Sequence, residues 1–185
     1  MSQNDLTRYQ RQIKIKDFGN KSQIKLKHSK VTVFGCGGLG CPTATYLAAS
    51  GVGIINLVDF QKPELSNLNR QIMHFESDLN TNFKSFSLKD KLLKLNSSIE
   101  INAFTEIIDD KSIDKFKDSD IFVNCLDNIT TRYIINNFSI KEKIPIVHAG
   151  VNSFYGQLTS IIPDCTPCLN CIFPDNLTNS EGPPL

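Results

Sequence analysis

The sequence predicts a doubly wound α/β domain with a largely parallel sheet and flanking helices. Three observations carry this. Short apolar runs rich in β-branched residues, Val31 to Phe34, Ile54 to Val58 and Ile121 to Cys125, suit strands buried on both faces. Longer segments of helical pattern lie between such runs, so strands and helices alternate. The first strand also runs straight into a glycine turn, Gly35-x-Gly37-x-x-Gly40, then a small-residue helix, then a second strand closed by Asp59. That order is the nucleotide-binding βαβ pattern, which makes the domain Rossmann-like.

The bulk numbers agree. A chain of 185 residues can bury one real core, and neither a linker nor an internal repeat divides it, so residues 1–185 read as a single domain. Hydrophobic residues are 40% and charged residues 21%, ordinary values for a globular chain. Twenty basic and 19 acidic residues leave a net charge of +1, which gives no pull toward nucleic acid or an anionic membrane. The polar start, Met-Ser-Gln-Asn-Asp, lacks a hydrophobic signal region, and no apolar run could span a bilayer. A cytoplasmic protein is expected.

Taken in order, Asp5 to Phe18 predicts one helix with Leu6, Tyr9, Ile13 and Phe18 on one side and a crowd of basic residues, Arg11 among them. Lys21 to Lys30 reads as a polar, lysine-rich lead-in to the first strand. Leu39 to Ser50 is a helix stopped by Gly51 and Gly53. Asn82 to Asn96 is an amphipathic helix with Phe86, Leu88, Leu92, Leu93 and Leu95 as its apolar positions. Ile99 to Thr105 alternates as a strand, and Asp109 to Lys117 is a short charged helix or turn. After the strand Ile121 to Cys125, a helix runs through Ser139. Pro145 to Val151 and Gln157 to Ile162 supply two further strands. Asn176 to Leu185 carries no helix or strand signal.

The chemistry-bearing residues gather after strands, at the edge where open α/β sheets bind ligands. The glycines let backbone N–H groups approach a phosphate at a helix N-terminus, and Asp59 is placed to accept from ribose hydroxyls. Asn67, Asn69, Arg70 and Gln71 follow closely. An arginine there can grip phosphate oxygens in bidentate fashion, and the alternative is a loop that caps its own backbone. Lys84 falls in the first turn of a helix, where acids are usual, so it is either a phosphate ligand or a surface lysine. Asp127 ends a strand beside the same crevice. It suits Mg²⁺, which prefers oxygen ligands, while Asp127 or Asn128 could equally cap the following helix. Of six cysteines, Cys36, Cys41 and Cys125 read as reduced core residues. Cys165, Cys168 and Cys171 have metal-like spacing.

At this point the chain resembles the ThiF/MoeB/HesA family, ATP-dependent activators of ubiquitin-like proteins. The resemblance runs from Arg8 to Pro174. Its pieces are Arg8-Tyr9-Gln10-Arg11-Gln12-Ile13, Gly35 to Gly40 with the doublet Gly37-Gly38, Asp59, and Ser66-Asn67-Leu68-Asn69-Arg70-Gln71. They continue with Lys84, Asp127-Asn128, Arg132, Gly156-Gln157, and Pro167-Cys168-Leu169-Asn170-Cys171. The resemblance implies an adenylyltransferase. The C-terminal Gly-Gly carboxylate of a small sulfur-carrier or modifier protein attacks the α-phosphate of ATP and pyrophosphate leaves. It implies that Gly35, Gly37, Gly38 and Gly40 cradle the nucleotide, that Asp59 holds the ribose, and that Asn67, Arg70, Gln71 and Lys84 contact phosphates. Asn128 is expected beside the nucleotide, and Asp127 as the magnesium ligand. Arg11 is expected to reach the ATP of the opposite subunit of a homodimer. Cys168 and Cys171 look like half of the family's structural zinc site; the family's second pair normally lies near its C-terminus and has no counterpart here, so zinc is expected only if further ligands exist beyond this chain, and reduced thiols otherwise. Sulfur-carrier pathways such as molybdopterin or thiamin synthesis are the implied settings.

Three competing readings remain open. The glycine motif and Asp59 alone would fit an NAD-dependent oxidoreductase, against the Asn/Arg-rich loop, Asp127 and the cysteine pair. The chain could be a non-catalytic or truncated partner subunit of an activator, although Asp59, Asn67, Arg70, Lys84 and Asp127 are all present. The family branch that adenylates a tRNA base lacks the zinc pair and fits poorly.

Overall fold

The computed structural model describes residues 1–174. Among them, one sheet contains β1 (Lys30–Phe34), β2 (Ile54–Val58), β3 (Glu100–Phe104), β4 (Ile121–Asn124), β5 (Ile146–Asn152) and β6 (Tyr155–Ile161). The order across the sheet is β3-β2-β1-β4-β5-β6. The first five strands are parallel and β6 is antiparallel to β5. This is the expected doubly wound, largely parallel sheet, with strand limits within two residues of those read from the sequence.

Both faces are covered, as an apolar parallel sheet requires. On one face, Val31, Val33, Ile55 and Leu57 pack with Ala44 and Ala48 of α4 (Gly40–Ser50) and with Leu88 and Leu92 of α5 (Lys84–Leu95). On the other, Phe34 meets Phe122 and Phe116 edge-on, with ring centroids 5.1 and 5.6 Å away. Ile135 and Phe138 of α6 (Ile129–Glu142) close that face.

Two expectations near the N-terminus are corrected. The single helix over Asp5 to Phe18 is two short ones, α1 (Gln3–Arg8) and α2 (Gln10–Ile13). They break at Tyr9, which is buried against Gly51, while Asp17 adopts a left-handed φ of 67° beyond α2. The polar lead-in is a helix, α3 (Gly19–His28). Lysine-rich sequence is good helix former, but α3 shows no apolar stripe because polar groups hold it. Buried Gln23 and its neighbour Gln12 both donate to the Ser50 carbonyl, and Lys27 pairs with Asp5 at 2.8 Å.

A third correction concerns α5. Leu88 and Leu92 are fully buried, but Phe86 and Leu95 face outward. The buried side of its first turn is polar instead: Lys84, Ser85 and Ser87. That side lies against the glycine turn, so the helix presents hydrogen-bonding groups there. The final short helix, α7 (Leu169–Ile172), places Leu169 in the second core cluster. No helix among the described residues is long and apolar enough to cross a membrane. The expectations for Asn176 to Leu185 lie outside the described residues.

Candidate functional site

Strand order reverses between β1 and β4, and a cleft of about 700 Å³ opens there, at the C-terminal ends of the strands. The chain leaving β1 forms one wall and the chain leaving β4 forms the other.

The first wall is the glycine turn. Gly35 has a φ of +92°, and a Cβ there would sit 2.9 Å from the Cys125 carbonyl oxygen. A Cβ on Gly40 would lie 1.8 Å from the Gly35 carbonyl oxygen, so the first turn of α4 rests directly on the strand end. Only glycine fits either position. Gly37 and Gly38 line the cleft, and their amides make no hydrogen bond among the described residues. Leu39 caps α4 without a side-chain bond, so the helix N-terminus is open to an anion.

Asp59 ends β2 under this turn. Its Oδ2 accepts from the Cys36 amide at 2.8 Å and its Oδ1 from the Gln61 amide at 2.9 Å. Each oxygen keeps further acceptor capacity, and Asp59 lines the cleft. Val58, Ile108 and Leu126 provide apolar lining close by.

Lys84 is the most informative residue. It is only 4% exposed, it opens α5, and it forms no ion pair among the described residues. Its Nζ donates to Gln61 Oε1 at 2.8 Å, and its backbone amide donates to the Gln61 carbonyl. A buried ammonium held only by a neutral amide is an expensive arrangement, which an anionic ligand in the cleft would offset. Gln71 also lines the cleft, and its buried Oε1 has no partner. Arg70 is exposed at the rim, with Nη1 donating to the Ser66 carbonyl at 3.0 Å.

The second wall carries Asp127 and Asn128. Asn128 caps α6, its side chain accepting from the Thr131 amide at 3.1 Å. Asp127 is therefore spared that duty; it is exposed and makes no ion pair among the described residues. Arg132, one turn into α6, is 8% exposed. Its Nε donates to the Leu126 carbonyl at 2.7 Å, and both Nη atoms are without a hydrogen-bond partner among the described residues. Burial lowers its pKa, which Asp127 partly restores.

Two expected site residues stand apart from the cleft. Asn67 is buried behind the loop, where its Oδ1 accepts from the Glu64 amide at 3.1 Å, so in this structure it does the self-capping the sequence left open. Arg11 lies on α2. Its neighbours Gln12 and Tyr9 pack against Ser50, Gly51 and Asn96, which directly precede β2 and β3. That is the N-terminal edge of the sheet, opposite the cleft, so Arg11 cannot serve its own chain's site. The sequence reading also passed over Gln61 and gave Arg132 no task. Their positions, just beyond a strand end and one turn beyond another, were the available signal.

The cysteine pair lies away from the cleft. Cys168 and Cys171 Sγ are 3.7 Å apart. Tetrahedral zinc with bonds of about 2.3 Å has ligand edges of about 3.8 Å, so the pair fits two vertices. Burial pushes the Cys168 thiol up, but hydrogen bonds from the Cys171 backbone and thiol outweigh it and leave it below its ordinary value. The described residues include no group of three or more His, Cys, Asp or Glu able to hold a metal. Two ligands for a zinc would have to come from elsewhere.

A largely parallel sheet with a glycine turn, an open helix N-terminus and a buried lysine around one cleft places the chain in the class of Rossmann-like α/β domains. The sequence matches the ThiF family over residues 9–184, and the chain belongs to that family. It is 39% identical over 175 residues to mouse "Adenylyltransferase and sulfurtransferase MOCS3", covering 94% of this chain and 38% of that protein. The Xenopus laevis protein of the same name is 40% identical over 171 residues, covering 92% of this chain and 38% of its own length. The chain thus spans about two fifths of these relatives. Among solved structures, E. coli MccB with ATP superimposes with a TM-score of 0.81 at 31% identity, covering 96% of this chain and 56% of that one. PaaA gives 0.78 at 29% identity, covering 90% and 54%.

Proposed function

We propose that this chain binds ATP with Mg²⁺ and adenylates the C-terminal Gly-Gly carboxylate of a small ubiquitin-like sulfur-carrier protein. A carboxylate oxygen attacks the α-phosphorus, the bond to the bridging oxygen of the β-phosphate breaks, and pyrophosphate leaves with that electron pair. The products are an acyl-adenylate and pyrophosphate. The carboxylate is itself the nucleophile, so the protein's work is alignment and charge neutralisation.

In this reading the Gly37 and Gly38 amides and the open end of α4 receive phosphate oxygens. Asp59 accepts from the ribose, and Val58, Ile108 and Leu126 pack on the base. Lys84, Arg70 and Gln71 meet the polyphosphate. Asp127 would hold the Mg²⁺; one free carboxylate beside phosphate oxygens and waters is a donor set magnesium accepts. That ion would supply neutralisation of phosphate charge. Arg11, at the far edge of its own sheet, would act on the nucleotide of the opposite subunit in a homodimer. Zinc, if bound, is structural and takes Cys168 and Cys171.

The observation that carries this reading is Lys84, a buried cation that lines the cleft with no ion-pair partner among the described residues, beside glycine amides that make no hydrogen bond among them. The similarity to the MOCS3 adenylyltransferases and to ATP-bound MccB supports it. The test is ATP–pyrophosphate exchange with Gly-Gly-terminated carrier proteins added one at a time. Carrier-dependent exchange is expected. ATP binding without exchange on any carrier would instead favour a non-catalytic partner subunit.

A further inference from the structure

Beneath the glycine turn lies a buried polar chain that no step above uses. His74 is 3% exposed, in the segment between β2 and α5. Its Nε2 lies 2.8 Å from the Cys36 carbonyl oxygen, and its Nδ1 lies 2.9 Å from Ser87 Oγ. Lys91 Nζ donates to the same Ser87 oxygen at 2.8 Å and is ion-paired with Asp78. A carbonyl only accepts, so Nε2 carries the imidazole proton. Nδ1 then accepts from the Ser87 hydroxyl, which accepts from Lys91. The donors all run one way, from Lys91 through Ser87 and His74 to Cys36. Burial above all, with the Lys91 and Lys84 cations adding to it, keeps the imidazole below its ordinary pKa and so neutral.

The Cys36 residue is gripped at both of its polar atoms. Its amide donates to Asp59 at 2.8 Å, and its carbonyl takes His74 and also the Cys41 thiol at 3.2 Å. The peptide from Cys36 to Gly37 is planar and trans, so its C=O and N–H point in opposite directions. A carbonyl drawn inward under α5 turns the Gly37 amide outward, toward the cleft that Gly37 lines. His74 is also tied to that cleft through its own amide, which donates to the Gln71 carbonyl at 2.9 Å.

We infer that His74 is a positioning residue: by holding the Cys36 carbonyl, with Ser87 and Lys91 fixing its tautomer, it aims the Gly37 amide at the nucleotide's phosphates. This rests on the nucleotide reading above and adds a residue to it. The device acts on phosphate and leaves the adenosine end, held by Asp59 and apolar lining, alone.

The test compares ATP and adenosine affinity by calorimetry in His74→Phe and His74→Gln. Phenylalanine keeps volume without a donor, and should lower ATP affinity about tenfold while adenosine affinity moves less than about twofold. Glutamine keeps an N–H near the Nε2 position and should recover most of the ATP affinity. Equal losses for ATP and adenosine, or an unchanged ATP affinity in folded His74→Phe, would overturn the inference. Nitrogen-15 NMR of the unaltered chain gives a check that needs no variant. At neutral pH it should show His74 protonated on Nε2 alone, and a proton on Nδ1 would refute the clamp. If the unaltered chain binds no ATP, the adenylation reading falls, and the imidazole tautomer judges the clamp by itself.

Discussion

The two walls of the cleft are built on opposite plans. On the glycine wall almost every buried polar atom is already spent: Asp59 on two backbone amides, His74 on Cys36 and Ser87, Ser85 Oγ on the Asp59 carbonyl. Among the described residues, the phosphate-facing amides, Gln71 Oε1 and the Lys84 ammonium are what is left over there. On the β4 wall polar groups stand unspent. Among the described residues, Asp127 has no ion pair, Arg132 offers both Nη atoms, and buried His148 on β5, behind that wall, has no hydrogen-bond partner at Nδ1. A satisfied wall is rigid and can hold backbone donors in place before a ligand arrives. An unsatisfied wall is costly until something fills it. Under the proposed function, the contrast would give the glycine wall to the nucleotide, bound in one pose, and the β4 wall to the metal and the incoming carboxylate. Lys84 belongs with the unspent groups although it lies on the glycine side.

Asp127→Ala breaks the comparison most severely. The side chain is exposed and makes no ion pair, so its loss should leave stability within about 0.5 kcal/mol of the parent. Carrier-dependent pyrophosphate exchange should fall by about 10³-fold if Asp127 holds the magnesium. Parent-level exchange in this variant, with the melting temperature unchanged, would remove Asp127 from the mechanism and leave the β4 wall without its metal ligand.

Lys84→Met comes next, and it separates function from folding by sign. Removing a phosphate-facing cation should cost about 10²-fold in exchange. Removing a buried charge that lacks an anion should at the same time stabilise the fold by about 1 kcal/mol in urea titrations. Gln61, the group it leaves behind, is exposed and can turn to water. Loss of both stability and activity would mean that Lys84 is structural, and it would no longer stand as the exception on the glycine side.

How far the sequence was legible follows the same divide between local and distant causes. The strands, the glycine turn and Asp59 were readable because each depends on neighbours within a few positions. Helix α3 was not, because its hold on the fold is Gln23 reaching the Ser50 carbonyl, 27 residues away. The apolar pattern of α5 counted Phe86 and Leu95 inward, since periodicity reports a stripe but not which helix or loop will cover it. His74 left no trace: its partner Cys36 lies 38 positions earlier, and a single histidine has no pattern. Asn67 matched a phosphate-binding motif by type, yet its oxygen caps the loop. Lys84 and Asp127 were already candidates from their places in a first helical turn and at a strand end, and the family resemblance strengthened both; the burial of Lys84 without an ion pair among the described residues adds a physical reason that the sequence could not give.

The finest test of the comparison is pH. His148 is 1% exposed and faces Gln157, whose Nε2 lies 3.3 Å from its own Nε2. With the amide nitrogen donating, His148 Nε2 accepts and the buried Nδ1 carries the proton without a partner. Burial, and secondarily the Arg132 cation, lowers its pKa from 6.5 to about 4. The unfolded chain therefore binds a proton that the folded chain refuses across that interval. The neutral imidazole's contribution to stability is complete above pH 6.5 and is lost as pH falls toward about 4. The full loss is at most about 3 kcal/mol. Urea titrations across that window should show the slope in the parent and a flatter one in His148→Gln, which has no imidazole to charge. Buffering with saturating ATP tests the wall as well. A polyphosphate near Arg132 offsets the cation's pressure on His148, so the acid limb of the parent should show a smaller stability loss with nucleotide bound. An acid limb identical in parent and His148→Gln would show that the β4 wall carries no stored titration cost, and the two walls would then differ in donors alone.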